Sequence, residues 1–91
     1  MKTMFVVMNK EGKFLKKADY YGGIAVDNVS EATLYNDLRK AQKEAGIVTA
    51  HAFTEGITEL HRNGPISPSE TEELMDNVRY EVIEVTVTIS M

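Results

Sequence analysis

The chain has 91 residues, enough for one domain and too few for two that each bury a core of their own. Its 43% apolar and 26% charged residues are the balance of a folded chain, not a disordered one. A net charge of −4 argues against stable DNA or RNA binding, and the absence of cysteine removes disulfides, thiolate metal sites and a cysteine nucleophile, which fits a reducing cytoplasm.

The opening TMFVVM, residues 3–8, is a β-prone apolar run. Its uninterrupted apolar stretch, Met4 to Met8, is too short for a signal-peptide core or a membrane span. Asn9-Lys10-Glu11-Gly12 has turn residues at both ends and predicts a hairpin into a strand over 13–17. Phe14 and Leu15 are both apolar, which leaves the inward face of that strand undecided. After ADYYGG, Ile24-Ala25-Val26 predicts another short strand.

Asp27, Asn28 and Ser30 supply helix-cap chemistry. From there Leu34, Leu38, Ala41 and Ala45 form a helical stripe, and Gly46 is placed to end it, so a helix is predicted at about 36–45. Lys40 and Lys43 suit the negative end of its dipole. Residues 47–53, IVTAHAF, read as a strand, and 54–63, TEGITELHRN, are open between a short helix and a strand. Ser67-Pro68-Ser69-Glu70 is a capping box with proline at the first helical position, and predicts a helix over 68–77 with Leu74, Met75 and Val78 inward. Finally Ile83, Val85, Val87 and Ile89 alternate with Glu84, Thr86, Thr88 and Ser90, the pattern of a half-buried strand within 80–90. Tyr80 and Val82 fall on the other phase and predict some cover of the opposite face near its start. Such a strand is expected to have a partner on each side. The whole chain, 1–91, thus reads as a single α+β domain: a small antiparallel-rich sheet, made of the N-terminal hairpin and the C-terminal strand, packed with two helices.

The chemistry-bearing motifs are few. His51 and His61 are ten residues apart with no second histidine at helical spacing, so no metal site is expected. Glu70, Glu72, Glu73 and Asp76 cluster on one helix, with Glu72 and Asp76 on a shared face; such a pair could bind a hard cation or serve acid–base chemistry, but acids near a helix N-terminus are stabilising in their own right, and that reading is preferred. No nucleophile elbow, phosphate-binding glycine loop or dinucleotide fingerprint is present, and neither an enzyme nor a cofactor is expected.

Residues 16–23, KKADYYGG, are the densest clue. Tyr20 and Tyr21 offer flat faces for stacking on a nucleobase, Gly22 and Gly23 let backbone N–H groups approach a phosphate, and Lys16 and Lys17 supply charge. Arg62, in the turn-like His61-Arg62-Asn63-Gly64-Pro65, would add a bidentate phosphate contact. The competing reading is a loop in which one tyrosine anchors to the core and the glycines permit positive φ. Charge is unevenly spread. Residues 1–23 hold five lysines against Glu11 and Asp19, and residues 65–91 hold six acids against Arg79. Such polarity either is a solvated, uneven surface or guides an anion to one end or one subunit onto another, and with a small core a homodimer or higher homo-oligomer is expected.

FVVMNKEGKFLKK, the SEATLY segment and the terminal VIEVTVTI resemble short accessory proteins of bacteriophages and prophages. In those, an opening I-x-N-x-x-G-K-F/Y-L hairpin precedes an A-x-L/F/Y segment, and an E-I/V-V-E-V strand lies near the end. The resemblance covers the first 45 residues and the last 12. It implies a role in countering host defence from within the host cytoplasm, either by sequestering a nucleotide signal or by binding a host defence or transcription protein. The first would use the Tyr/Gly/Lys segment with Arg62. The second would use an exposed edge strand or the acidic helix.

Overall fold

A computed structural model of the protein describes residues 2–18 and 23–88. Four antiparallel strands and two α-helices make up the α+β domain: β1 Lys2–Met8, β2 Phe14–Lys16, β3 Ile24–Val26, α1 Leu38–His61, α2 Pro68–Val78 and β4 Glu81–Val87. The strands lie in the order β3-β2-β1-β4.

The β1–β2 turn forms where the sequence places it. The Asn9 side chain accepts from the backbone N–H of Glu11 and Lys13 at 3.0 and 2.9 Å, and Gly12 takes a φ of 84° that other residues reach only with strain. Leu15 is the inward residue of β2, settling the choice between it and Phe14. Beyond the turn, β2 pairs outward with β3, and the extended residues around Tyr35 bridge to Phe5 of β1 through two backbone hydrogen bonds of 2.8 Å.

The helical region departs from expectation. Asp27 and Asn28 precede only a single 3-10 turn, Val29–Glu31, that contains Ser30, and the Asn28 side chain makes no capping bond. The N-cap of α1 is Asp37, whose carboxylate accepts from the Arg39 N–H at 2.9 Å, so Leu34 lies outside the helix and both Leu34 and Leu38 are exposed. Gly46 does not end the helix. Residues 47–53 are helical, and α1 continues unbroken to His61. A mid-helix glycine costs about 1 kcal/mol relative to alanine. Tertiary contact offsets it: Ala41, Ala45 and Val48 extend one buried stripe across Gly46, and Ala45 and Val48 pack with Val7 and Leu15. In the segment 54–63, left open by the sequence between helix and strand, Thr54 and Thr58 each donate a hydroxyl to the carbonyl four residues back.

α2 begins as the sequence requires. The Ser67 hydroxyl accepts from the Glu70 N–H at 3.2 Å, and the Glu70 carboxylate accepts from the Ser67 N–H at 3.3 Å, with Pro68 opening the helix. It packs on the later half of α1, where a Cβ on Gly56 would lie 2.6 Å from Leu74 Cδ1; the missing side chain lets the two helices approach. The molecule is accordingly long, 57 × 22 × 20 Å.

Among the described residues β4 pairs with β1 alone and is an edge strand, not the doubly partnered strand expected. Its inward phase is also the minor one of the sequence. Val7 pairs with Val82, and both lie on the face covered by α1, with Tyr80 packed beside them. The Tyr80 N–H donates to the Thr49 hydroxyl at 2.9 Å and ties the start of β4 to the helix. The alternating Ile83, Val85 and Val87 therefore lie on the sheet face turned away from α1. Ile89 and Ser90 lie outside the described residues.

Candidate functional site

Tyr20, Tyr21 and Gly22 lie outside the described residues, and the described part of that segment is Lys16, Lys17, Ala18 and Gly23. Lys16 ends β2 opposite Ile24, and the Lys17 N–H donates to the Thr33 hydroxyl at 2.7 Å. Both lysine side chains are exposed. Gly23 has a φ of 61°, and a Cβ there would run into the Leu15 side chain and come within 3.0 Å of the Lys16 carbonyl oxygen. Its glycine is thus required by the packing of β3 on β2, with or without a ligand.

Arg62 does not join this group. It follows α1 fourteen residues beyond Val48, about 21 Å along the helix from where α1 meets the sheet, and its guanidinium pairs with Glu59 at 3.3 Å. Lys16, Lys17 and Gly23 stay together at one end of the sheet, and Arg62 belongs to the far end of the helical hairpin.

The histidines remain apart. His51 lies 3.0 Å from the Glu55 carboxylate one turn on, and His61 is the last residue of α1. Among the described residues, no three His, Asp or Glu side chains group to hold a metal ion, and no helix is long and apolar enough to cross a membrane. The acidic helix does line a groove with α1. It is lined by the apolar Gly56, Leu60 and Leu74 and the polar Glu59, Glu70, Glu73 and Asn77, with a volume of about 420 Å³. Glu70 is already engaged in the capping box and Glu59 with Arg62, so two of its three acids have partners.

Two tyrosines on the α1 side carry raised pKa values, Tyr35 by burial and then the nearby Glu44, Tyr80 by burial and then Glu11. The Tyr35 hydroxyl is buried without a hydrogen-bond partner. Neither raised value makes a general acid or base near neutral pH.

The most complete recognition geometry is the free edge of β4. Phe5 spends its N–H and C=O on Tyr35, so its pairing with Glu84 is the non-hydrogen-bonded kind, and so are Thr3 with Thr86 and Val7 with Val82. Val82, Glu84 and Thr86 consequently direct their backbone N–H and C=O groups outward, away from β1. No described residue pairs with them. The edge is seven residues long, contains no proline, and has no bulge in its register with β1. Sequence reasoning named an edge strand as a binding element without identifying β4 as that edge. Strand order depends on pairings between distant residues and leaves no local signal.

Compared with protein-family models, with curated proteins and with solved structures, the chain matches none.

Proposed function

We propose that this protein is a non-catalytic binding protein that engages a partner protein by adding a strand of that partner to the outer edge of β4. The observation that carries this reading is the row of outward N–H and C=O groups on Val82, Glu84 and Thr86, which is the template used in strand addition. Natural edge strands are usually short, bulged or covered, and an open edge of seven residues is a liability unless something occupies it. The resemblance to phage accessory proteins supplies the class of partner, a host defence or transcription protein whose own sheet or extended segment is captured.

A photo-crosslinking residue placed at Thr86 tests this in host lysate, with the same residue at Lys40 as the off-site control. The expected result is a partner peptide of extended conformation joined to position 86 and lost in Glu84→Pro. That substitution removes an outward donor and blocks addition without removing a bond to β1. Partners retained in full by Glu84→Pro would overturn the reading.

The second reading, sequestration of an anionic nucleotide, is favoured by the shared position of Lys16, Lys17 and Gly23 at one end of the sheet. It proceeds without Arg62. Calorimetry with a panel of cyclic and linear nucleotides distinguishes the two, since strand addition predicts no heat and sequestration predicts binding weakened by Lys17→Ala and Tyr21→Ala.

A further inference from the structure

We infer that the sheet face turned away from α1 is covered in solution by the same face of a second copy. The pairing register assigns Met4, Val6, Phe14, Ile83, Val85 and Val87 to that face, an apolar layer with no helix of the described residues packed on it. Val6 at its centre is fully buried, and Ile24, on the same face of β3 by its pairing with Lys16, is 44% exposed. Met4, Phe14, Ile83, Val85 and Val87 around Val6 are half-buried, so an apolar layer still meets water in part, and a second sheet would bury the remainder. The core on the other side is small, with Val7, Leu15, Ala45 and Val48 as its buried members. A domain this short gains much from a second buried layer.

Charge at the ends of the face selects a second copy as the occupant. Lys2 pairs with Val87 at one end of the β1–β4 ladder, and Glu81 pairs with Met8 at the other. Both side chains lie on this face and both are exposed; Lys16, also exposed, stands on the same face beside Ile24. A two-fold axis running between two such faces, across the strands, sets the lysine end of one copy over the glutamate end of the other, so the surface is complementary to itself. Two sheets packed in this way lie about 10 Å apart with their strands nearly aligned. This contact is distinct from the β4 edge, because it uses the face of the sheet and leaves the outward backbone groups of Val82, Glu84 and Thr86 open.

Sedimentation equilibrium of the full chain over a range of concentrations tests the inference. The expected result is a reversible dimer whose dissociation constant rises about a hundredfold or more in Val85→Lys, the loss of a central apolar anchor. Charge reversal provides a test that leaves the apolar layer intact. Lys2→Glu and Glu81→Lys should each weaken the dimer by roughly tenfold, and the double variant should restore it. Circular dichroism of each variant separates loss of association from loss of fold. A wild-type chain that stays at its monomer mass of 10.2 kDa at a concentration of about 100 μM, a concentration at which a micromolar dimer is saturated, would overturn the inference. So would a dimer broken by Glu84→Pro and untouched by the charge reversals, which would place the contact at the β4 edge.

Discussion

Replacing Gly46 by alanine separates two descriptions of α1 by the sign of a single free-energy change. As a residue in the middle of a helix, Gly46 costs about 1 kcal/mol relative to alanine through its backbone freedom. It is exposed, its φ is helical, and a Cβ added there meets nothing within 4 Å, so no packing penalty opposes the gain. Gly46→Ala should therefore stabilise the protein by about 1 kcal/mol, a rise of about 4–8 °C in the melting temperature of a domain this size. A glycine ending the helix in the left-handed conformation would give the opposite result, a loss of about 1–2 kcal/mol. Gly12 and Gly64 provide the internal comparison. A Cβ at either also meets nothing within 4 Å, but their φ values are 84° and 119°, so the same substitution should destabilise there. Urea unfolding followed by circular dichroism reads all three, with the midpoint shifting and the slope unchanged in a two-state transition. A lowered midpoint for Gly46→Ala would refute the continuous helix and restore two separate elements on either side of residue 46.

Thr49→Val removes the acceptor for the Tyr80 N–H and leaves that donor unpaired, so it should cost about 1–3 kcal/mol, whereas Thr49→Ser keeps the bond and should cost less; thermal melts compare them. Ser67→Ala breaks the capping box of α2 and should cost about 1 kcal/mol in the same assay. Tyr35→Phe removes a buried hydroxyl that has no partner, and should leave stability unchanged or raise it slightly. The raised pKa values of Tyr35 and Tyr80 mean that the folded state holds more protons than the unfolded state once the pH passes the ordinary tyrosine value of 10.0. Their contribution is fully present below pH 10 and is lost as pH rises through the folded values, so denaturant titrations should show stability falling in alkali, less steeply in Tyr35→Phe.

What was legible in the sequence was local. The Asn9–Gly12 turn and the Ser67–Glu70 capping box each satisfy backbone groups within five residues, and both form as read. The sequence splits α1 because the signals that stop a helix are also local, and Gly46 with its β-branched neighbours Ile47, Val48 and Thr49 resembles such a signal. What overrides it comes from elsewhere in the chain: Val7 and Leu15 beneath Ala45 and Val48, and Leu74 seated on Gly56. The same distinction governs the candidate site. Lys16, Lys17 and Gly23 are near in sequence and remain near in space. Arg62 was joined to them by chemistry alone, and an unbroken helix carries it away.

The edge and the face of β4 place different demands on an occupant, and Glu84 helps assign them. A strand laid against β4 sets one of its side chains directly opposite each of Val82, Glu84 and Thr86, at the distance where like charges repel and opposite charges attract. Antiparallel pairing of β4 with its own copy, centred on Glu84, would bring two carboxylates together and is disfavoured. A foreign strand with a basic residue at that position would be favoured by the same interaction, so strand addition at this edge, if it is the protein's function, would favour a different protein over a second copy. Glu84 shares the α1 side of the sheet with its pairing partner Phe5, so its charge is absent from the opposite face, where Lys2 and Glu81 would instead meet a second copy in the proposed dimer. The two proposed associations would thus use side chains on opposite faces of one strand, and reversing Glu84 to lysine should alter the choice of partner strand while leaving the dimer constant unchanged.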